Sequence, residues 1–250
     1  MKKLSLILLG ALAAIQAAQA APASFNGYYL GGQLGWTQRN DKTSIPGVDT
    51  TDSGVRFQQG ASNKTKKANG LTYGLYTGYG HNNNGFYFGG EFSIEGDSAS
   101  KNVSNGLAPT ATALGVVTTG TGKIDTKYER GVVFGITPRL GAVIANENLI
   151  YAKLGLEFSR DKVKASYDAS GRAAGTNYSR SGKVTASKNQ FVFVPGIGYE
   201  RAFGNLLARV EYGYNLGGKI TTGNLINGVN SATTVKYTAH VVKFGLAHKF

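Results

Sequence analysis

Apolar residues recur at every second position of this chain, and the last such run ends on the last residue. In Val242-Lys243-Phe244-Gly245-Leu246-Ala247-His248-Lys249-Phe250, the side chains of Val242, Phe244, Leu246 and Phe250 share one face. Lys243, Gly245, Ala247 and Lys249 share the other. A period of two is that of an extended strand, whose successive side chains point to opposite faces. One face fully apolar and the other small or polar is the pattern of a strand with lipid on its outside.

Seven more segments carry the pattern. They are Gly27 to Arg39, Gly70 to Gly80, Gly85 to Glu95, Arg130 to Ile144, Leu149 to Ser159, Gln190 to Arg201 and Leu206 to Tyr214, with Val235 to Phe250 as the eighth. Outward faces read Tyr28, Leu30, Leu34, Trp36 in the first and Phe86, Phe88, Phe92, Ile94 in the third. Each is about the length that crosses a membrane at a tilt. The connections alternate. His81 to Asn84, Ala145 to Asn148 and Ala202 to Asn205 are short, whereas Asn40 to Asn69, Gly96 to Glu129, Arg160 to Asn189 and Asn215 to Thr234 are long. Alternation gathers the long connections at one end of an up-and-down arrangement, which a soluble sandwich has no need to do. The expected fold is all-β: an eight-stranded antiparallel up-and-down transmembrane β-barrel with four long extracellular loops, partly mobile, and short turns in the periplasm.

The amino terminus fits export. Lys2 and Lys3 precede an apolar run from Leu4 to Ile15, too short for a membrane helix, and Ala18-Gln19-Ala20 has the small-x-small form of a signal-peptidase site. Residues 1–20 are expected to be a signal peptide cleaved after Ala20, and residues 21–250 the barrel. Cysteine is absent, which excludes disulfides, thiol catalysis and thiolate metal sites. The net charge of +13 falls to +11 without Lys2 and Lys3. It is spread over Gly/Ser/Thr/Asn-rich connections, with no basic helix, aromatic RNA-binding motif or zinc pattern. Nucleic acid is therefore not the expected partner, and a membrane or glycan polyanion is.

Two features resist a regular barrel. Pro138 and Pro195 fall inside expected strands, where proline removes a ladder donor, and are read as bulges or kinks. Glycines at inward positions, among them Gly74, Gly78, Gly135, Gly155, Gly198 and Gly245, make room in a narrow lumen.

Several stretches carry a resemblance: Tyr28-Tyr29-Leu30-Gly31-Gly32-Gln33-Leu34-Gly35, Pro138-Arg139-Leu140-Gly141, Pro195-Gly196-Ile197-Gly198-Tyr199-Glu200, Ala208-Arg209-Val210-Glu211-Tyr212 and the terminal Phe250. They resemble the small OmpA-like, opacity-protein type surface barrels of Gram-negative bacteria. That resemblance covers the strands and none of the loops. It implies a place in the outer membrane, Phe250 as a carboxyl-terminal sorting signal, and the barrel-assembly machinery, outer-membrane lipid and lipopolysaccharide as partners. It also implies a surface role in envelope structure, adhesion or contact with host proteins or acidic host glycans. A carboxyl-terminal peptidoglycan-binding domain like that of full-length OmpA proteins is not expected.

Two constellations stand out. Inward positions place Glu91, Arg139, Lys153, Glu211 and Lys243 at similar distances from the short turns, flanked by Glu157 and Arg209. Opposite charges in a tight lumen pair, because isolated buried ions are costly. Such a cluster is either a static plug or the lining of a narrow ion path. The second is basic: Lys64, Lys66 and Lys67 in the first long connection, and Lys162, Lys164, Arg172, Arg180 and Lys183 in the third. It fits solvated charge, lipopolysaccharide bridging or adhesion to acidic glycans.

The histidines His81, His240 and His248 lack the spacing of a metal site, and His240 with Asp97 or Asp125 is the only remote catalytic pair. The expected activity is non-enzymatic, with no cofactor and no metal. A small-conductance porin is the alternative.

Overall fold

Thirteen strands and no helix make up the described part of the computed structural model, residues 25–52, 55–113, 116–173, 176–224 and 231–250. The expected signal peptide lies outside these residues. In chain order the strands are β1 (Gly27–Ile45), β2 (Val48–Asp52), β3 (Val55–Gln59), β4 (Ser62–Asn83), β5 (Phe86–Asp97), β6 (Asn102–Ala113) and β7 (Val116–Thr119). Then follow β8 (Thr121–Glu129), β9 (Val133–Ile144), β10 (Asn148–Ala173), β11 (Thr176–Phe203), β12 (Leu206–Thr221) and β13 (Thr234–Lys249). Eight of them form a closed antiparallel ring in the order β1-β4-β5-β9-β10-β11-β12-β13, sealed where β13 returns to β1. Closure removes the unpaired edges of an open sheet.

Backbone chemistry sets the tight turns. Asn84 (φ 51) and Gly85 (φ 90) form a two-residue hairpin loop with both φ positive, the arrangement that matches strand twist. Gly204 (φ 61) starts the two-residue turn between β11 and β12. The expected faces hold along the belt: Leu75, Ile136 and Phe244 are 66, 60 and 62% exposed, on an outward apolar surface that runs on β10 from Ile150 to Phe158. Inward tyrosines need the inward glycines. A Cβ at Gly78 would overlap the Tyr29 ring, and one at Gly198 the Tyr151 ring.

Three expectations require correction. The long connections are largely strands rather than mobile loops. β1 and β4 stay paired up to Ile45–Ser62, and β10 and β11 form a hairpin in continuous register from Asn148–Arg201 to Ala173–Thr176. Their inward sides carry apolar residues that pack, Val163, Ala165, Tyr167 and Ala169 on β10. β8, β6, β3 and β2 extend this hairpin sideways into a crown above the barrel.

The prolines, second, make no bulges. Register across Pro138 and Pro195 is unbroken, and each proline instead interrupts pairing on one side only. Pro138 keeps its partner Gly90 but the ladder to β10 skips Pro138 and Thr137; β11 pairs with β12 only as far as Gly196–Gly213, next to Pro195.

Third, the irregularities sit elsewhere. β12 shifts register by one residue between Asn215 and Gly218, around Gly217 at φ 84. Residues 130–132 add one residue relative to β10, so that β8 and β9 act as one long strand with a bulge. Strand β9 accordingly begins at Val133, not Arg130.

The interior is layered. Near the short turns Phe25, Tyr29, Tyr76, Tyr87, Leu149, Tyr151 and Leu207 pack together. At the far end of the barrel Tyr128, Val163, Val192, Val194, Ile220, Val235 and Tyr237 pack. Ile45, Leu107, Ile124, Ala165, Tyr167 and Ala169 form the core of the crown.

Candidate functional site

Between the first two apolar layers lies a charged one. Arg139, fully buried, donates from Nη1 to Glu91 Oε1 (2.6 Å) and to the Tyr29 hydroxyl (3.0 Å), and from Nη2 to Glu200 Oε2 (3.0 Å). Its guanidinium lies 3.8 Å from the centre of the Tyr151 ring. Arg209 donates to the same Glu91 oxygen and to Gln33 Oε1 (2.9 Å), and lies 3.5 Å over Tyr76. Lys153 and the Tyr151 hydroxyl both donate to Glu211, the latter at 2.6 Å. Lys243 donates to Glu95 Oε2 (2.5 Å), whose other oxygen accepts from Gln33 (2.9 Å) and Ser93 (3.1 Å). Glu157 accepts from Arg130 (2.6 Å) and Asn215 (3.2 Å).

All seven lumen residues read from the sequence therefore point inward; six join one network through Glu91, Gln33 and Glu95, and Glu157 forms a separate group beside it with Arg130 and Asn215. The cations Arg130, Arg139, Lys153, Arg209 and Lys243 meet the carboxylates Glu91, Glu95, Glu157, Glu200 and Glu211 in equal number. Buried ions persist when paired and hydrogen-bonded in this way. Glu95 and Glu200 were missed although each continues an inward parity already legible, from Glu91 and from Gly196 and Gly198. Arg130 was hidden, because the bulge at residues 130–132 reverses the parity. The network leaves voids of ≈ 20 Å³ and ≈ 10 Å³, the larger lined by Glu91, Lys153, Arg209, Glu211 and Lys243. That is room for about one water.

Above it a second buried cluster joins the barrel to the crown. Arg39 holds Asp41 through two hydrogen bonds (2.7 and 3.1 Å) and lies 4.3 Å over Tyr128. Asp161 accepts from the hydroxyls of Tyr128 (2.5 Å) and Tyr237 (3.3 Å) and from the Gly131 amide (3.2 Å).

The basic residues do not form the single loop patch expected. Register parity puts Lys67, Lys162, Lys164, Arg172 and Lys183 on outward faces, and Lys64, Lys66 and Arg180 on the inward parity of their strands. Strands β6 and β8 separate the two groups. Lys164 is bridged to Glu129 (2.6 Å), and Lys64 donates to the Ser104 carbonyl (2.8 Å). The remote pair of His240 with Asp97 or Asp125 is not assembled either. His240 faces outward against the Tyr212 hydroxyl (2.7 Å), Asp97 accepts from the Ala99 amide (2.6 Å), and Asp125 is bridged to Lys123 (3.0 Å).

A family model described as outer membrane protein beta-barrel domain matches residues 6–250. Similar solved structures include the attachment invasion locus protein Ail of Yersinia pestis, at 14% identity and TM-score 0.33, over 90% of this chain and 99% of that one. Neisserial surface protein A is similar at 13% identity and TM-score 0.36 (90% and 98% covered), and OprG of Pseudomonas aeruginosa at 12% and 0.44 (92% and 99%). No curated protein matches by sequence.

Proposed function

Because this chain belongs to the outer membrane protein β-barrel domain family, we propose that it is a non-enzymatic surface protein of the bacterial outer membrane whose barrel is a sealed anchor and whose working part is the crown. The observation that carries this reading is the filled lumen. A paired charged layer lies between two apolar layers and leaves space for about one water, which supports a plug over an ion path. In this reading the long-connection end faces outside, and the outward face of the β10–β11 hairpin, with Lys162, Lys164, Arg172 and Lys183, meets acidic glycans through long-range attraction.

Replacing those four residues with Gln tests it. Binding of the refolded protein to an immobilised sulfated glycan should drop at least several-fold while the barrel still folds and inserts, with only the β8–β10 edge loosened by loss of the Lys164–Glu129 bridge. Residual binding should weaken with salt, since exposed charge is screened within about 10 Å at 0.1 M. Unchanged glycan binding would exclude the hairpin as the contact surface.

A further inference from the structure

On β12, β13 and β1, the strands that follow the hairpin around the ring, three lysines stand directly opposite one another. Lys236 of β13 is paired across the ladder with Lys219 of β12 on one side and with Lys42 of β1 on the other. All three are exposed, and their sequence neighbours Ile220, Val235, Tyr237, Asp41 and Thr43 are buried, so the row points away from the lumen. Lys67 of β4, opposite Asn40, extends the row by one diagonal step. Directly opposed side chains have Cβ atoms about 4.5–5.5 Å apart, and like charges so placed repel. Nothing on the outward faces of these four strands offsets them. The outward positions around the row are Leu216 and Thr221, Thr234, Thr238 and His240, Gln38, Asn40 and Ser44, and Asn63, Thr65 and Asn69. No carboxylate is among them. Across the barrel three outward cations of β8 and β10 are bridged instead, Lys123 to Asp125 and Lys127 and Lys164 to Glu129.

We infer that the Lys42–Lys219–Lys236 row binds the phosphorylated headgroup of an outer-leaflet glycolipid. Its position selects this partner over a soluble anion. The row lies on the face that continues upward from the lipid belt, above an aromatic band of Trp36 on β1 and Tyr212 and Tyr214 packed on His240. Lys42 is six residues beyond Trp36 and Lys236 four beyond His240, which is roughly 10–15 Å at about 2.6 Å of axial rise per residue. That is the depth of a sugar headgroup rather than of an acyl chain. A lysine stem can follow apolar surface while its ammonium reaches a phosphate.

The test uses the full refolded barrel in vesicles containing bisphosphorylated lipid A with its inner-core sugars, or the same glycolipid with its phosphates removed. The Lys42→Gln/Lys219→Gln/Lys236→Gln variant should retain the phosphorylated glycolipid more weakly by about fivefold per lysine removed. It should be no less stable than wild type in the phosphate-free vesicles, where only repulsion is lost. Glycolipid binding by the hairpin variant Lys162→Gln/Lys183→Gln should be unchanged, so the row and the hairpin can fail separately. Millimolar inorganic phosphate should not displace the glycolipid. Equal glycolipid retention by wild type and the triple variant would overturn the inference. So would loss confined to a sulfated glycan, or full displacement by free phosphate.

Discussion

Glu211 accepts from both Lys153 and Tyr151, so its removal leaves a buried ammonium and a buried hydroxyl without their acceptor. Breaking a buried pair from one side costs about 3–5 kcal/mol. Glu211→Ala should therefore lower the thermal unfolding midpoint of the refolded barrel clearly, and an unchanged midpoint would mean that the network does not bear on stability. The lipid face obeys a different rule. Leu154 is exposed at mid-belt, beside Pro138 and Pro195, whereas Ser170 faces outward in the crown. Leu154→Arg should cost about 2–4 kcal/mol of insertion free energy, near the midplane value for arginine. Ser170→Arg should insert like wild type, and equal defects in the two would contradict the division of β10 into belt and crown. The network residues on unbroken strands were legible in the sequence, because one parity runs from each short turn to the belt. Arg130 and Lys219 were not, because Arg130 lies in and Lys219 follows a one-residue bulge that reverses parity without altering composition.

The hairpin of β10 and β11 shows why the crown reads as loop in the sequence. From Lys162 to Ala169 polar and apolar residues do alternate, Lys162, Lys164, Ser166 and Asp168 against Val163, Ala165, Tyr167 and Ala169. The apolar members are small or lightly hydrophobic, so the run resembles a soluble linker until its packing against Ile45, Leu107 and Ile124 is seen. The bulge of β12 is testable. A Cβ at Gly217 would strike the Tyr237 carbonyl, and φ 84 is strained for any L side chain. Gly217→Ala should destabilise by about 1–3 kcal/mol, read from chemical unfolding. The β8–β10 edge carries a pH dependence. Hydrogen bonds from Lys164 and then Lys127 hold the Glu129 carboxyl below its ordinary range. A lowered folded value means that the contact contributes fully above the unfolded pKa, about 4.3, and is lost as pH falls through the folded one. The protection of β8 amides, taken relative to the intrinsic exchange rate at each pH, should fall below that pH and stay level above it, and unchanged protection on acidification would remove Glu129 from the account.

At the scale of the whole molecule, the barrel divides the work. The belt meets lipid, the charged layer with its apolar neighbours closes the lumen, and the paired extensions hold basic faces clear of the belt. Fold class, strand number and the two faces were readable from period two together with the alternation of short and long connections. The crown and the lysine row were not, since both depend on which strand lies beside which. The central claim is that the lumen is shut, and single-channel recording in planar bilayers tests it most directly. The refolded wild-type barrel should pass no steady current at moderate voltage, with at most brief small openings in Glu211→Ala. Large, lasting, voltage-independent steps from the wild-type protein would contradict the sealed anchor and make it a pore.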